Sequence, residues 1–232
     1  MLNETETKAF HDGRRRPLRG IARRLGMRAF LSLVLAAGAA VAMGGCATAG
    51  FPEVTLAPRA PKGSGQLASV HTPQTVVQDI NPEPGHCHMT ALDANGGRFL
   101  PDKNCTPGAV DPAVTQANLS QTICRSGYTK TVRPASSLTG PIKDKSLNAY
   151  AIQYAETTEL DHLVPLELGG ASSTSNLWVE PNAAGASHVQ NPKDAVENQL
   201  NAAVCKHQVS LAAAQQAIAS DWTTALQAVG IQ

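Results

Sequence analysis

The chain has 232 residues, and 19 Lys or Arg against 18 Asp or Glu give it a formal charge of +1. The balance is uneven: eight of the basic and three of the acidic residues lie in the first 45 positions, so the remainder carries 11 Lys or Arg against 15 Asp or Glu, a formal charge of −4. An acidic remainder excludes a broad cationic surface that grips a phosphate backbone by charge alone, and any contact with nucleic acid has to be local.

Residues 1–45 read as a secretory signal peptide. The run Arg14, Arg15, Arg16 precedes the almost uncharged stretch AFLSLVLAAGAAVAMGG at 29–45, the order of a basic n-region, an apolar h-region and small residues before a cut. That stretch is too short, and too rich in Ala and Gly, for the ~20 apolar residues of a membrane span. Cys46 follows Met43-Gly44-Gly45, a context that resembles a bacterial lipobox and marks Cys46 for lipidation, although Met43 stands where Leu is commonest. Met27 opens a complete signal by itself and is an alternative start. A lipid would anchor the chain to a membrane without making it span one, so the expected location is outside the cytoplasm, anchored to the envelope or secreted.

Residues 46–86 hold Pro52, Pro58, Pro61, Pro73, Pro82 and Pro84 among Gly, Ala and Ser. Such a segment buries too little apolar surface to fold alone and reads as a tether. The ordered part is then residues 87–232, the size of one compact domain. Its four cysteines, Cys87, Cys105, Cys124 and Cys205, read as two disulfides in an exported chain, with three pairings open. His86-Cys87-His88 is a poor zinc cluster, because adjacent residues seldom point at one ion and no CxxC partner exists.

Within this domain, residues 87–127 are loop-rich, with a short polar helix or turn over 114–123. YTKTVR at 128–133 alternates β-formers with polar residues and predicts a strand. A strand-like run over 160–168 stops at Gly169-Gly170, and a second short strand is predicted over 176–179, closed by Pro181. A helix is predicted from Pro192, with Ala195, Leu200, Ala203 and Val204 on one side. Another follows Ser210 as N-cap, with Leu211, Ala214, Ile218, Trp222 and Leu226 spaced three or four apart and Trp222 read as core.

The informative stretch holds Asp161-His162, then Asn176 fourteen residues beyond His162, then a helix carrying Asp194, Glu197 and Asn198. The residues DHLVP at 161–165, Gly169-Gly170, SNLW at 175–178 and KDAVEN at 193–198 resemble the HNH endonuclease superfamily, whose signature is a ββα unit around one metal ion. CTPGAVDP, TIC, GYTKTVRP and the closing helices also resemble a group of small exported bacterial HNH proteins, so that the likeness covers residues 100–228. It implies an α+β fold, a ββα-metal core with added C-terminal helices, braced by disulfides.

The resemblance further implies that His162 takes a proton from water, a task its ordinary pKa near 6.5 suits, while Asn176 holds the loop between the strands and keeps the ring oriented. Asp161 would be a ligand to a divalent ion that polarises the scissile phosphate. The chain departs from the plain pattern at the third ligand, where many members place a His on the helix. Asn198 is the first choice here, Asp194, one turn away on the same face, the second, and His188 an alternative. An oxygen-rich set favours Mg²⁺, with Zn²⁺ or Mn²⁺ as alternatives. Lys130 and Arg133 could touch phosphate but read first as solvated charge, and so does Lys193, which opposes the dipole of its own helix and could be held there by a partner such as substrate phosphate.

No Walker A loop, GxSxG elbow or HExxH helix occurs. The expected function is metal-dependent cleavage of DNA or RNA outside the cytoplasm. The rivals are a non-catalytic envelope lipoprotein that uses the same fold for binding, and a secreted antibacterial effector.

Overall fold

The computed structural model describes residues 66–153, 155–186 and 191–231. The signal peptide, Met27, Cys46 and His188 lie outside them. Six short strands and five α-helices form a mixed α+β body: β1 Ala68–Ser69, β2 Thr90–Asp93, β3 Arg98–Leu100, β4 Ala109–Val110, α1 Tyr128–Val132, α2 Ser136–Ala149, β5 Thr158–His162, β6 Leu177–Pro181, α3 Lys193–Cys205, α4 Leu211–Asp221 and α5 Ala225–Ala228. The strands make three two-stranded ribbons: β1 parallel to β4, β2 antiparallel to β3, and β5 antiparallel to β6.

Two apolar clusters hold these pieces. The larger gathers Leu119, Tyr128, Val164 and Leu168 against Leu200, Val204, Ile218 and Trp222 of the C-terminal helices. The smaller packs Leu163, Trp178 and Val179 against Leu147 and Tyr150 at the end of α2. Trp222 lies within the first cluster, and its indole N–H donates to the Phe99 carbonyl at 2.7 Å, which ties β3 to the helices. Ser210 caps α4 by accepting from the Ala213 amide. The cysteines pair as Cys87–Cys105 and Cys124–Cys205. The first bond removes His86-Cys87-His88 from metal chemistry, and both fit an oxidising compartment. Among the described residues no helix is long and apolar enough to cross a membrane.

The strand-like run expected over 160–168 is strand only as far as His162, and Leu166–Leu168 form a 3-10 turn because the chain turns inward to bury Leu163, Val164, Leu166 and Leu168. Three further expectations change. Of residues 128–133, Tyr128–Val132 form helix α1, not a strand. Tyr128 and Val132, one turn apart, both pack on the larger cluster, and that burial outweighs the strand preference of Tyr, Thr and Val. The helix ends at Arg133, extended before Pro134 as a residue preceding proline must be. Helix α2 occupies a stretch to which no element is assigned from sequence, and β2–β3 is a hairpin within the segment read as loop.

The tether boundary is the third. Residues 66–80 belong to the folded body. β1 pairs with β4, the Val77 amide donates to the Ser172 carbonyl at 3.0 Å, and the Thr174 amide donates back to the Val77 carbonyl at 2.9 Å. The Asp79 carboxylate accepts from the Ser175 amide at 2.9 Å and the Ser175 hydroxyl at 2.6 Å. Polar backbone pairing orders a segment whose side chains bury little.

Candidate active site

The site forms where the β5–β6 ribbon ends. In its antiparallel register Asp161 faces Trp178 and His162 faces Leu177. The chain leaves β5 through residues 163–176, a loop that reverses at Gly169-Gly170. Gly169 takes the left-handed conformation (φ +72°), and a Cβ on Gly170 would stand 1.7 Å from the Val164 carbonyl oxygen, so the turn can be this tight only with glycine.

Asn176 fastens the loop. Its side-chain oxygen accepts from the amides of Val164 at 2.9 Å and Ala109 at 3.2 Å, and its amide donates to the carbonyls of Val164 at 2.9 Å and Ala171 at 2.8 Å. The residue is fully buried, and every hydrogen-bonding position of its side chain is used. It touches no open surface, so its part is architectural.

His162 is 5% exposed, and its Nε2 lies 3.0 Å from the Ser172 hydroxyl. Ser172 is in turn held by Thr72, whose hydroxyl accepts from the Ser172 amide at 2.9 Å while the Thr72 amide donates to Asp111 at 2.8 Å. The imidazole is thus positioned by the N-terminal segment 66–80 as well as by its own loop. Burial pushes its pKa down to about 4 against the pull of Asp161, with Arg133 and Lys193 adding to the fall. The ring is neutral at ordinary pH.

The imidazole opens on a polar cleft of about 350 Å³ lined by Thr129, Arg133, Asp161, Pro165, Glu167 and Glu197. Thr129 and Arg133, one turn apart across α1, bring a hydroxyl and an exposed guanidinium to this rim. Glu167 contributes a buried oxygen without a donor, and burial, reinforced by Asp194, raises its pKa.

Behind the cleft lies a buried ion cluster. Asn191 accepts from the Lys193 amide at 2.9 Å and the Asp194 amide at 3.3 Å, capping α3 with Pro192 in its first turn, and its own amide donates to Glu159 on β5. This places Lys193 with its ammonium fully buried, bonded to Asp161 Oδ2 at 2.5 Å, to the His162 carbonyl at 2.8 Å and to Glu197. The lysine named from sequence as a possible phosphate contact is thus held by oxygens of the chain itself. Burial works against the charge on Asp161, yet the Lys193 ammonium outweighs it and holds the carboxyl below its ordinary value.

Glu197 moves the other way. Burial raises it to about 8 although Lys193 pulls it down. Glu180 is raised well above its usual value by burial and by Asp161, on the same face of the ribbon, and its oxygens find no donor. The lowered Asp161 and the raised Glu180 and Glu197 both follow from crowding three carboxyls around one ammonium, where a buried excess of negative charge is disfavoured. The like charge of Asp161 similarly adds to burial in raising Glu159 to about 7.

Asp161 and His162 come together as expected positions on one strand end, but the two helix residues chosen as further ligands do not join them. Asp194 and Asn198 are exposed, and the Asn198 amide donates to the Asp194 carbonyl at 2.7 Å. Glu197, not Asn198, faces the cleft. Lys193, Glu197, Leu200 and Val204 form the buried stripe of α3, and extending the apolar 200/204 spacing back by three and four residues selects Glu197 and Lys193. Among the described residues no three His, Cys, Asp or Glu side chains converge as a metal site, and Asp161 Oδ2 and Glu197 Oε1 are bonded to an ammonium, so the Mg²⁺ ligand set does not fit as drawn. No family profile, curated protein or solved structure matches this chain.

Proposed function

We propose that this chain is an exported nuclease of the HNH type, hydrolysing phosphodiester bonds in DNA or RNA with His162 as base. The observation that carries the reading is a buried, neutral imidazole fixed through one nitrogen to Ser172 and opening on a polar cleft beside an exposed arginine. Two antiparallel strands followed by a helix whose first turn packs on the same strand end support a ββα core.

The chemistry uses groups of the chain itself. We take Nε2 as the donor to the Ser172 hydroxyl, the tautomer that leaves Nδ1 as the free base. Water oxygen bonds to phosphorus and gives its proton to Nδ1, and the bond from phosphorus to the leaving oxygen breaks. The Glu197 carboxyl, protonated below about 8 and 12% exposed toward the cleft, supplies the proton that oxygen takes. Arg133 offers its fork of donors to the phosphate oxygens, the local contact an acidic domain requires. A divalent ion would polarise the phosphate, but the ligands expected for it, Asp161 with Asn198 or Asp194, are not assembled. Export follows from the signal sequence and fits the disulfides, and a lipid at Cys46 would hold the domain at a membrane.

The test incubates the mature, oxidised chain with plasmid and with RNA, in Mg²⁺, Mn²⁺, Zn²⁺ or chelator, beside His162→Ala. Cleavage reduced about 10²–10⁴-fold in the variant is the expected result. No cleavage by folded wild-type protein under any condition rejects the nuclease and leaves a binding module.

A further inference from the structure

We infer that the resident cation of this site is the Lys193 ammonium, which occupies the point where the nuclease reading places a divalent ion, so that the folded chain takes up no metal there. The inference rests on that reading only for the expectation of a metal. Lys193 reaches β5 from the first turn of α3 and meets oxygens from two elements: Asp161 Oδ2 and the His162 carbonyl on the strand, and Glu197 one turn along its own helix.

An ammonium has three hydrogens, and these three acceptors use them all. Its side chain is 0% exposed, against 18% for Asp161 and 12% for Glu197, so the carboxylates separate it from the cleft. An ion entering between Asp161 and Glu197 would lie against a lysine with no path to solvent, positive charge beside positive charge, in the least water-screened part of the molecule. Among the described residues, no three His, Cys, Asp or Glu side chains converge as a replacement ligand set. Asp194 and Asn198 are exposed, the Asn198 amide donating to the Asp194 backbone carbonyl, and Asn191, near enough in sequence, is engaged with Glu159 and the start of α3.

The arrangement resembles a cation site in everything but the cation: oxygen donors from a strand and a helix, a backbone carbonyl, and a charge at the centre supplied by the chain. Lys193 is accordingly a positioning residue. It clamps α3 to the strand end, and through Glu197 and Asp161 it sets the back wall of the cleft.

Mn²⁺ uptake tests this, read as loss of the free-ion electron paramagnetic resonance signal when oxidised full chain is titrated in. Wild-type protein is expected to leave the signal unchanged up to millimolar concentration, while Lys193→Ala, with the ammonium gone and its acceptors left facing one another, gains a single site at least tenfold tighter. One Mn²⁺ bound by wild type below millimolar and lost in Asp161→Asn would overturn the inference. So would silence of a folded Lys193→Ala, because its oxygens would then not form a cation position.

Should Lys193→Ala fail to fold, the wild-type titration still decides, together with its melting temperature in Mg²⁺ and in chelator. Uptake or a metal-dependent rise overturns the inference, and silence with no shift upholds it. Cleavage is not part of the readout. A chain that cuts nothing rejects the nuclease alone, whereas metal-dependent cutting with uptake by wild type rejects this inference alone.

Discussion

Burial holds His162 near 4 and Glu197 near 8, so between those values the imidazole is free to accept a proton while the carboxyl still has one to give. The rate of cleavage is expected to rise with pH through about 4, as His162 loses its proton, and to fall through about 8, as Glu197 loses its own. Glu197→Gln should remove the alkaline limb and His162→Ala the activity. Stability follows a related course on the acid side. A histidine depressed from 6.5 to about 4 contributes fully above 6.5, and that contribution is lost as pH falls toward 4, so a melting curve at each pH separates loss of fold from loss of catalysis.

At this scale the sequence was informative where two residues are neighbours or fixed by a short loop, as with Asp161, His162 and Asn176. It was misleading where the choice depended on the rotation of a helix. Asn198 and Glu197 are adjacent, and only the packing of Leu200 and Val204 into the core decides which of them faces β5. Ser172 and Thr72, which position the imidazole, carry no mark in the sequence: a buried serine bonded to a histidine is ordinary chemistry until the fold brings them together.

Among elements, β6 and the two long C-terminal helices were legible because Pro181, Pro192 and Ser210 bound them, whereas the apolar run after His162 read as more strand and is a loop with a short 3-10 turn. Helix α1 was not, since its five residues suit a strand by composition and become helical only when Tyr128 and Val132 find the core together. Helix α2 gave little signal because only Ile142, Leu147 and Ala149 are buried along its fourteen residues and Pro141 interrupts it. Hairpin β2–β3 is short, and β2 is wholly exposed, so it lacks the alternation that announces a strand.

The loop between β5 and β6 is the element on which the site depends most. Gly170→Ala should force the Val164 carbonyl aside and cost about 3 kcal/mol or more, roughly 10 °C in melting temperature. Because Val164 is bonded to Asn176, the same change should reduce cleavage, whereas Gly185→Ala, which meets nothing within 4 Å, tests only the left-handed backbone and should leave cleavage intact.

For the whole molecule, the disulfides act on different spans. Cys124–Cys205 closes 81 residues and joins the region before α1 to the end of α3, while Cys87–Cys105 closes 18. Loop-closure entropy gives about 4–5 kcal/mol for the first and about 3 kcal/mol for the second. Replacing Cys124 and Cys205 by serine should therefore lower the denaturant midpoint more than replacing Cys87 and Cys105. Equal losses would show that strain or residual structure, not chain entropy, sets their contributions.

The α+β class and the presence of two disulfides could be read from the sequence. The extent of the folded body could not, because residues 66–80 look like linker by composition and are ordered by backbone pairs and by Asp79. Anyone trimming this chain by composition would begin it at Cys87 and obtain a fragment without Thr72, Val77 and Asp79, its Ser172–Ser175 loop bare and its histidine poorly aimed. Such a fragment would be judged inert for a fault of its boundaries. Shortened forms should begin upstream of Gln66.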